Sequence, residues 1–143
     1  VAALVVVVMA GQLSGGWIGD RVDKRHLIFV AMWLHAAAMI ILAYASSTAA
    51  ALAFAALHGI AWGVRGTLIN SIRADYFGRR SFAQISGFSS LLIMFGMISG
   101  PVFSGLVYDL TGSYRGAFLI LAGLAALASA AALLATPPER PPP

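Results

Sequence analysis

The chain has 143 residues, of which 60% are hydrophobic and 10% are charged, and it carries a formal net charge of +4. This is more apolar than a water-soluble domain, in which about half of the residues are apolar. The absence of Cys excludes disulfides, thiolate metal ligands and Cys nucleophiles. The few basic residues lie between apolar blocks, so we expect an all-α polytopic membrane protein that contacts the lipid bilayer and binds no nucleic acid.

Five apolar segments are each about long enough to cross the ~30 Å hydrocarbon core as a helix. They span residues 1–19, 27–45, 48–72, 82–108 and 116–135. We therefore predict a transmembrane region over 1–136, followed by a disordered Pro-rich tail over 137–143, because proline lacks the N–H that a helix needs. Since Val1 lies inside an apolar run, we expect the chain to be a piece of a longer protein.

The connections between these segments alternate in charge. Residues 20–26 and 73–81 each carry three Lys or Arg and the tail carries one, whereas the connections on the other side carry only Arg115. Short loops rich in Lys and Arg stay in the cytoplasm. This asymmetry predicts that the chain starts outside and that its C-terminus is cytoplasmic.

The first charged loop contains the pattern G-x-x-x-D-R-x-x-x-R. Its positions are filled by Gly16, Ile18, Asp20, Arg21, Lys24 and Arg25. The pattern resembles the signature loop of the major facilitator superfamily of secondary transporters, although Asp23 stands where that family usually has Gly. The stretches 73–87 and 96–118 also resemble a cytoplasmic loop and the penultimate helix of this superfamily.

The resemblance implies a fold of twelve helices in two halves, with a signature loop after the second helix of each half. Four further segments follow the loop here, and the YDLTGSY stretch with the short Pro-rich end favours helices eight to twelve. Helices two to six are the alternative. The missing N-terminal half would then be a partner, and the bacterial cytoplasmic (inner) membrane the expected location.

The resemblance also implies roles for the loop. Asp20 would interact with the N-terminus of a helix from the opposite half, where the helix dipole stabilises a carboxylate. From the positions of the charges alone, we hypothesise that Arg21 or Arg25 pairs with Asp75 at the end of the third segment and braces a gate. The alternative is that these are unpaired surface charges.

Arg65 lies in the third segment, about two turns from its predicted cytoplasmic end. A cation there is costly if it faces lipid. We expect it to face a cavity and bind an anionic substrate or form a gating ion pair; the alternative is an Arg that reaches the headgroups. His58 and Trp62 share its face approximately, and His58 carries a proton or hydrogen-bonds between helices, whereas His35 has no predicted partner.

The fourth segment carries Gly96, Gly100, Pro101 and Gly105. The glycines predict close helix packing, and the proline predicts a kink. The fifth segment has no strong polar group and is expected to be scaffold. No His pair has metal-site spacing with a carboxylate, so neither a metal nor a cofactor is predicted.

The leading hypothesis is a symporter or antiporter that moves a small solute, such as an organic anion, by alternating access. The alternative is a non-transporting membrane subunit that oligomerises through its glycine faces. An enzyme is not expected, because the sequence contains no G-x-S-x-G, no H-E-x-x-H and no paired membrane carboxylate.

Overall fold

The computed structural model describes residues 2–137, apart from the side chains of residues 2, 3 and 79. Five helices fill this range: α1 (Ala2–Gly19), α2 (Lys24–Ala43), α3 (Thr48–Gly78), α4 (Arg80–Thr111) and α5 (Arg115–Leu134). By length and composition, α2 to α5 can cross a membrane. The predicted all-α membrane bundle is confirmed, while most of the predicted disordered tail lies outside the described residues.

The charged stretch 73–81 is helical, so its prediction as a loop was wrong. Here α3 continues six residues beyond the predicted end at 72, and α4 begins two residues before 82. The break between them is Gly78 alone, with φ 67° and ψ 173°, a conformation open essentially only to glycine. Charged residues leave the membrane but do not break a helix, so a count of charges could not separate a loop from a helical turn.

Each turn has its own capping residue. Asp23 caps α2 by accepting a hydrogen bond from the backbone N–H of Arg25 at 2.9 Å. Ser47 caps α3 through the N–H of Ala50. Gly112 ends α4 in the left-handed region at φ 71°. The departure of Asp23 from the family pattern therefore has a local function, because Asp is a strong N-cap residue and Gly a weaker one.

α1 packs against α3 through glycines on both helices. A Cβ atom added at Gly11 would lie 2.7 Å from the carbonyl oxygen of Ile60, and one at Gly15 would lie 2.8 Å from the Cα of Val64. On α3, a Cβ at Gly63 would overlap the backbone of Val8. The two backbones touch because these positions carry no side chain, which is how small residues hold helices together in lipid.

α2 lies between α3 and α5 and contacts both, whereas α3 and α5 barely touch one another. Its buried face is built from Ile28, Ala31, His35, Ala36 and Ala38. α4 contributes little to this core, and most of its large apolar side chains are exposed. The loose fit of α4 leaves a wide cavity between it and the other helices.

Candidate functional site

The cavity has a volume of about 840 Å³, within the range of small-molecule sites. Residues from α2, α3, α4 and α5 line it. α3 contributes His58, Trp62 and Arg65, and the other polar side chains are Ser104 of α4 and Tyr114, the residue before α5. The rest is mainly apolar: Met39, Ile93, Met97, Phe118 and Leu121. One strongly polar wall facing an apolar one suits a solute with a charged group and an apolar face.

Arg65 brings the positive charge to this cavity. Its guanidinium carbon lies 4.9 Å from the centroid of the Trp62 ring, a cation–π arrangement. Its Nε is buried without a hydrogen-bond partner, and within residues 2–137 no carboxylate forms an ion pair with it. α3 continues thirteen residues past Arg65, roughly 20 Å of helix, so Arg65 lies deeper along its helix than the two turns predicted.

A pair of histidines lies beside Arg65. The Nδ1 atoms of His35 on α2 and His58 on α3 are 3.2 Å apart, and His35 is only 7% exposed. The ring of His58 stacks on that of Trp62, with 6.0 Å between the ring centroids. The ring of His35 meets that of Trp62 edge-on, with 6.1 Å between the centroids. The structure thus gives His35 the partner that the sequence did not reveal, and it gives His58 a hydrogen bond between helices, which is one of its two predicted roles.

The signature loop lies at the end of the bundle where α1 and α3 finish and α2 begins, here called the basic end. The guanidinium carbon of Arg21 lies 3.9 Å from the centroid of the Trp17 ring. The same guanidinium donates a hydrogen bond to the backbone carbonyl oxygen of Trp17. The side chain of Arg25 pairs with the carboxylate of Asp23 at 2.7 Å. This pairing and the hydrogen bond from the backbone N–H of Arg25 lower the pKa of Asp23 to about 2. A Cβ atom added at Gly16 would make only ordinary contact with Thr67 of α3. Asp20 is exposed, and its expected contact with another half stays a prediction.

Asp75 pairs with Lys24, at 2.5 Å, and not with Arg21 or Arg25. Arg21 contacts Trp17 and Arg25 pairs with Asp23, so neither arginine reaches Asp75. The flexible side chain of Lys24 instead bridges the start of α2 and the end of α3. The side chain of Asp75 is 52% exposed. An ion pair this exposed contributes little to stability, about 0.2–1 kcal/mol.

Exchanging the two charges of this bridge tests the brace. We expect Lys24→Asp and Asp75→Lys each to lower the apparent Tm of the intact protein slightly, and the double variant to recover it, because opposite charges face each other again. The control double variant, Arg25→Asp with Asp75→Arg, should not recover. Equal losses in all four variants would show that the contact does not brace the helices.

The glycines of α4 have a different environment from the one predicted. A Cβ at Gly96, Gly100 or Gly105 meets nothing within 4 Å, and all three line the cavity. The backbone angles stay helical at Pro101, so its predicted kink stays untested. The tight helix contact instead uses Gly11 and Gly15 of α1 and Gly63 of α3. The sequence analysis missed these glycines, although the four-residue spacing of Gly11 and Gly15 was a readable signal.

Comparison with known families adds the decisive observation: the profile described as Major Facilitator Superfamily matches residues 1–143. The chain belongs to the major facilitator superfamily. This membership, together with its long apolar helices, makes it an integral membrane protein. The predicted resemblance is confirmed over its whole length.

Two curated members of the superfamily are similar to the chain. The hexuronate transporter of Bacillus subtilis (strain 168) is 28% identical over 134 residues, which cover 86% of this chain and 32% of the relative. Multidrug resistance protein D of Escherichia coli (strain K12) is 28% identical over 115 residues, which cover 80% of this chain and 29% of the relative. The chain thus spans about a third of the length of these relatives. No solved structure matches it significantly.

Proposed function

We propose that the chain is part of a secondary transporter that moves a small organic anion by alternating access. The observation that supports this most is Arg65, a cation in the cavity wall whose Nε is buried and unpartnered. A charge inside a membrane is costly and commonly marks a substrate or ion pathway. A carboxylate that enters the cavity would accept parallel hydrogen bonds from the guanidinium and supply the missing counter-charge.

The names of the relatives and the cavity walls suggest what this anion looks like. One relative is a hexuronate transporter, and a hexuronate is a sugar that carries a carboxylate. The other relative is a multidrug resistance protein, and the wall opposite Arg65 is mainly apolar. The proposed substrate therefore has one carboxylate and a ring or hydrocarbon face, and glucuronate is a suitable first probe.

The proposed orientation places the basic end in the cytoplasm, because Lys and Arg in short connections are retained there. The chain would then form helices eight to twelve of the carrier, with its C-terminus cytoplasmic, in the inner membrane of a bacterium. In this family of mechanisms the two halves rock about a midplane site. The cavity would be completed by the other half.

Uptake by the intact carrier in proteoliposomes tests the proposal. We expect radiolabelled glucuronate to enter vesicles that contain the carrier faster than empty vesicles, and unlabelled glucuronate inside the vesicles to accelerate its entry by exchange. Both effects require a site that alternates between the two sides. A non-transporting subunit that associates through glycine faces would show neither, and equal entry into both kinds of vesicle, with no active organic anion in a panel of carboxylates, would overturn the proposal.

A further inference from the structure

The His35–His58 contact is unusual because it joins the same atom of two imidazoles. A neutral imidazole has one ring nitrogen that donates and one that accepts. A hydrogen bond across these 3.2 Å requires that one Nδ1 carries a proton and donates a hydrogen bond to the other Nδ1, which is bare. The outer Nε2 of the donating ring is then an acceptor, and the outer Nε2 of the accepting ring carries a proton.

We propose that this pair is a proton-binding site that is loaded together with the anion held by Arg65; the inference rests on the proposed function. One added proton binds at the bare Nε2 and leaves the Nδ1 hydrogen bond intact. Both Nε2 atoms then donate, and the pair carries one positive charge. A second proton would place two charged Nδ1–H groups against each other and break the bond, so the pair takes up a single proton.

The surroundings decide when the proton binds. On α3 the pair faces the guanidinium of Arg65, and Arg73 lies two turns further along the same helix. Tyr114, the N-cap residue of α5, contributes its phenol, α4 contributes the hydroxyl of Ser104, and α1 contributes the neutral amide of Gln12. Among the described residues that line these cavities there is no carboxylate, so the fixed charge near the pair is positive and opposes the proton until an anion arrives.

Anion and proton therefore stabilise each other's binding. A carboxylate on Arg65 neutralises the charge that repels the proton, and the loaded pair presents an additional positive charge to the carboxylate. This coupling is reciprocal by thermodynamic necessity. The sign is fixed: a lower pH strengthens anion binding, and bound anion strengthens proton uptake, which is the requirement for cotransport of the two.

His58 also lies between two cavities. It lines the wide cavity beside Arg65 and a second one of about 420 Å³ on the α1 side, formed by Leu4, Val5, Val8, Met9, Gln12 and Trp62. The ring of His58 therefore borders a space that Arg65 does not line, in which Gln12 is the polar neighbour.

Calorimetry of glucuronate binding to the intact carrier tests the coupling. The heat is measured in two buffers with different ionisation enthalpies, from which the number of protons taken up follows. We expect about one proton per glucuronate in the wild type at a pH where the free pair is neutral, and close to none in the double variant His35→Gln/His58→Gln, which has no imidazole at this place. The matched control His26→Gln, at an exposed position in the first turn of α2, should keep the wild-type value. Glucuronate binding without proton uptake in the wild type would overturn the proposal.

A second measurement needs neither glucuronate nor a variant and separates this inference from the proposed function. Nitrogen NMR of the intact carrier, labelled with ¹⁵N-histidine, should show two Nδ1 atoms coupled through one shared proton and a single protonation step for the pair. Two uncoupled rings that titrate independently would overturn the inference even if glucuronate is transported. Coupled rings without any glucuronate binding would leave the pair intact and refute the proposed substrate.

Discussion

Replacing Arg65 by alanine is expected to weaken glucuronate binding to the intact carrier roughly 30-fold or more. Removing one partner of a desolvated charge pair costs about 2–5 kcal/mol, and each 1.4 kcal/mol is about a factor of ten in Kd. Arg65 lines the cavity and forms no ion pair within the described residues, so no carboxylate of the chain competes with the ligand for its guanidinium. Titration calorimetry of the purified variants measures the loss directly.

Two further variants sharpen this test. Arg65→Lys keeps the charge but loses the planar fork of donors, so we expect it to recover only part of the affinity. The matched control is Arg73→Ala on the same helix, whose guanidinium contacts Asn70 and not the cavity. Unchanged affinity in Arg65→Ala, or an equal loss in Arg73→Ala, would contradict the role given to Arg65.

The second large effect is a loss of stability of the folded protein, which we expect from Gly63→Ala. The added Cβ would overlap the backbone of Val8 and lie 2.7 Å from the backbone nitrogen of Gln12. Backbone atoms cannot rotate away as a side chain can, so α1 and α3 must separate. Overpacking costs about 1–3 kcal/mol even where side chains can adjust, and we expect a clear fall in the apparent Tm of the intact carrier or loss of the folded protein.

Gly66→Ala is the matched control for this substitution. It lies on the same helix, one turn away, and an added Cβ meets nothing within 4 Å. Alanine favours a helix over glycine by up to about 1 kcal/mol, so the control should be neutral or stabilising. Thermal unfolding followed by size-exclusion fluorescence compares the two. Equal stability of both variants would show that the helices are further apart than the structure places them.

Hydrophobicity was enough to predict the helices, because a helix that crosses a membrane must satisfy its own backbone hydrogen bonds. The prediction failed where the structure depends on backbone conformation, which composition does not determine. The stretch 73–81 is charged and therefore resembles a loop, yet only Gly78 breaks the helix there. Asp23 departs from the family loop, and its function as the N-cap of α2 depends on a backbone geometry that the loop pattern does not specify.

The candidate site was predictable only along one helix. His58, Trp62 and Arg65 share a face of α3, so their spacing in the sequence is enough to place them together. The approach of His35 depends on how α2 is rotated against α3, and neither helix alone determines that. The same holds for the partner of Asp75: three basic residues compete for it, and the geometry of the turn decides in favour of Lys24.

The most direct test of the central claim compares the uptake of glucuronate and glucose by the intact carrier and by its Arg65→Gln variant. The two sugars differ at the carboxylate, so their ratio isolates what Arg65 is proposed to recognise. We predict a strong preference for glucuronate in the wild type that disappears in Arg65→Gln, while Arg73→Gln keeps it. A preference that survives in Arg65→Gln would contradict the claim that this cavity selects an anion through Arg65.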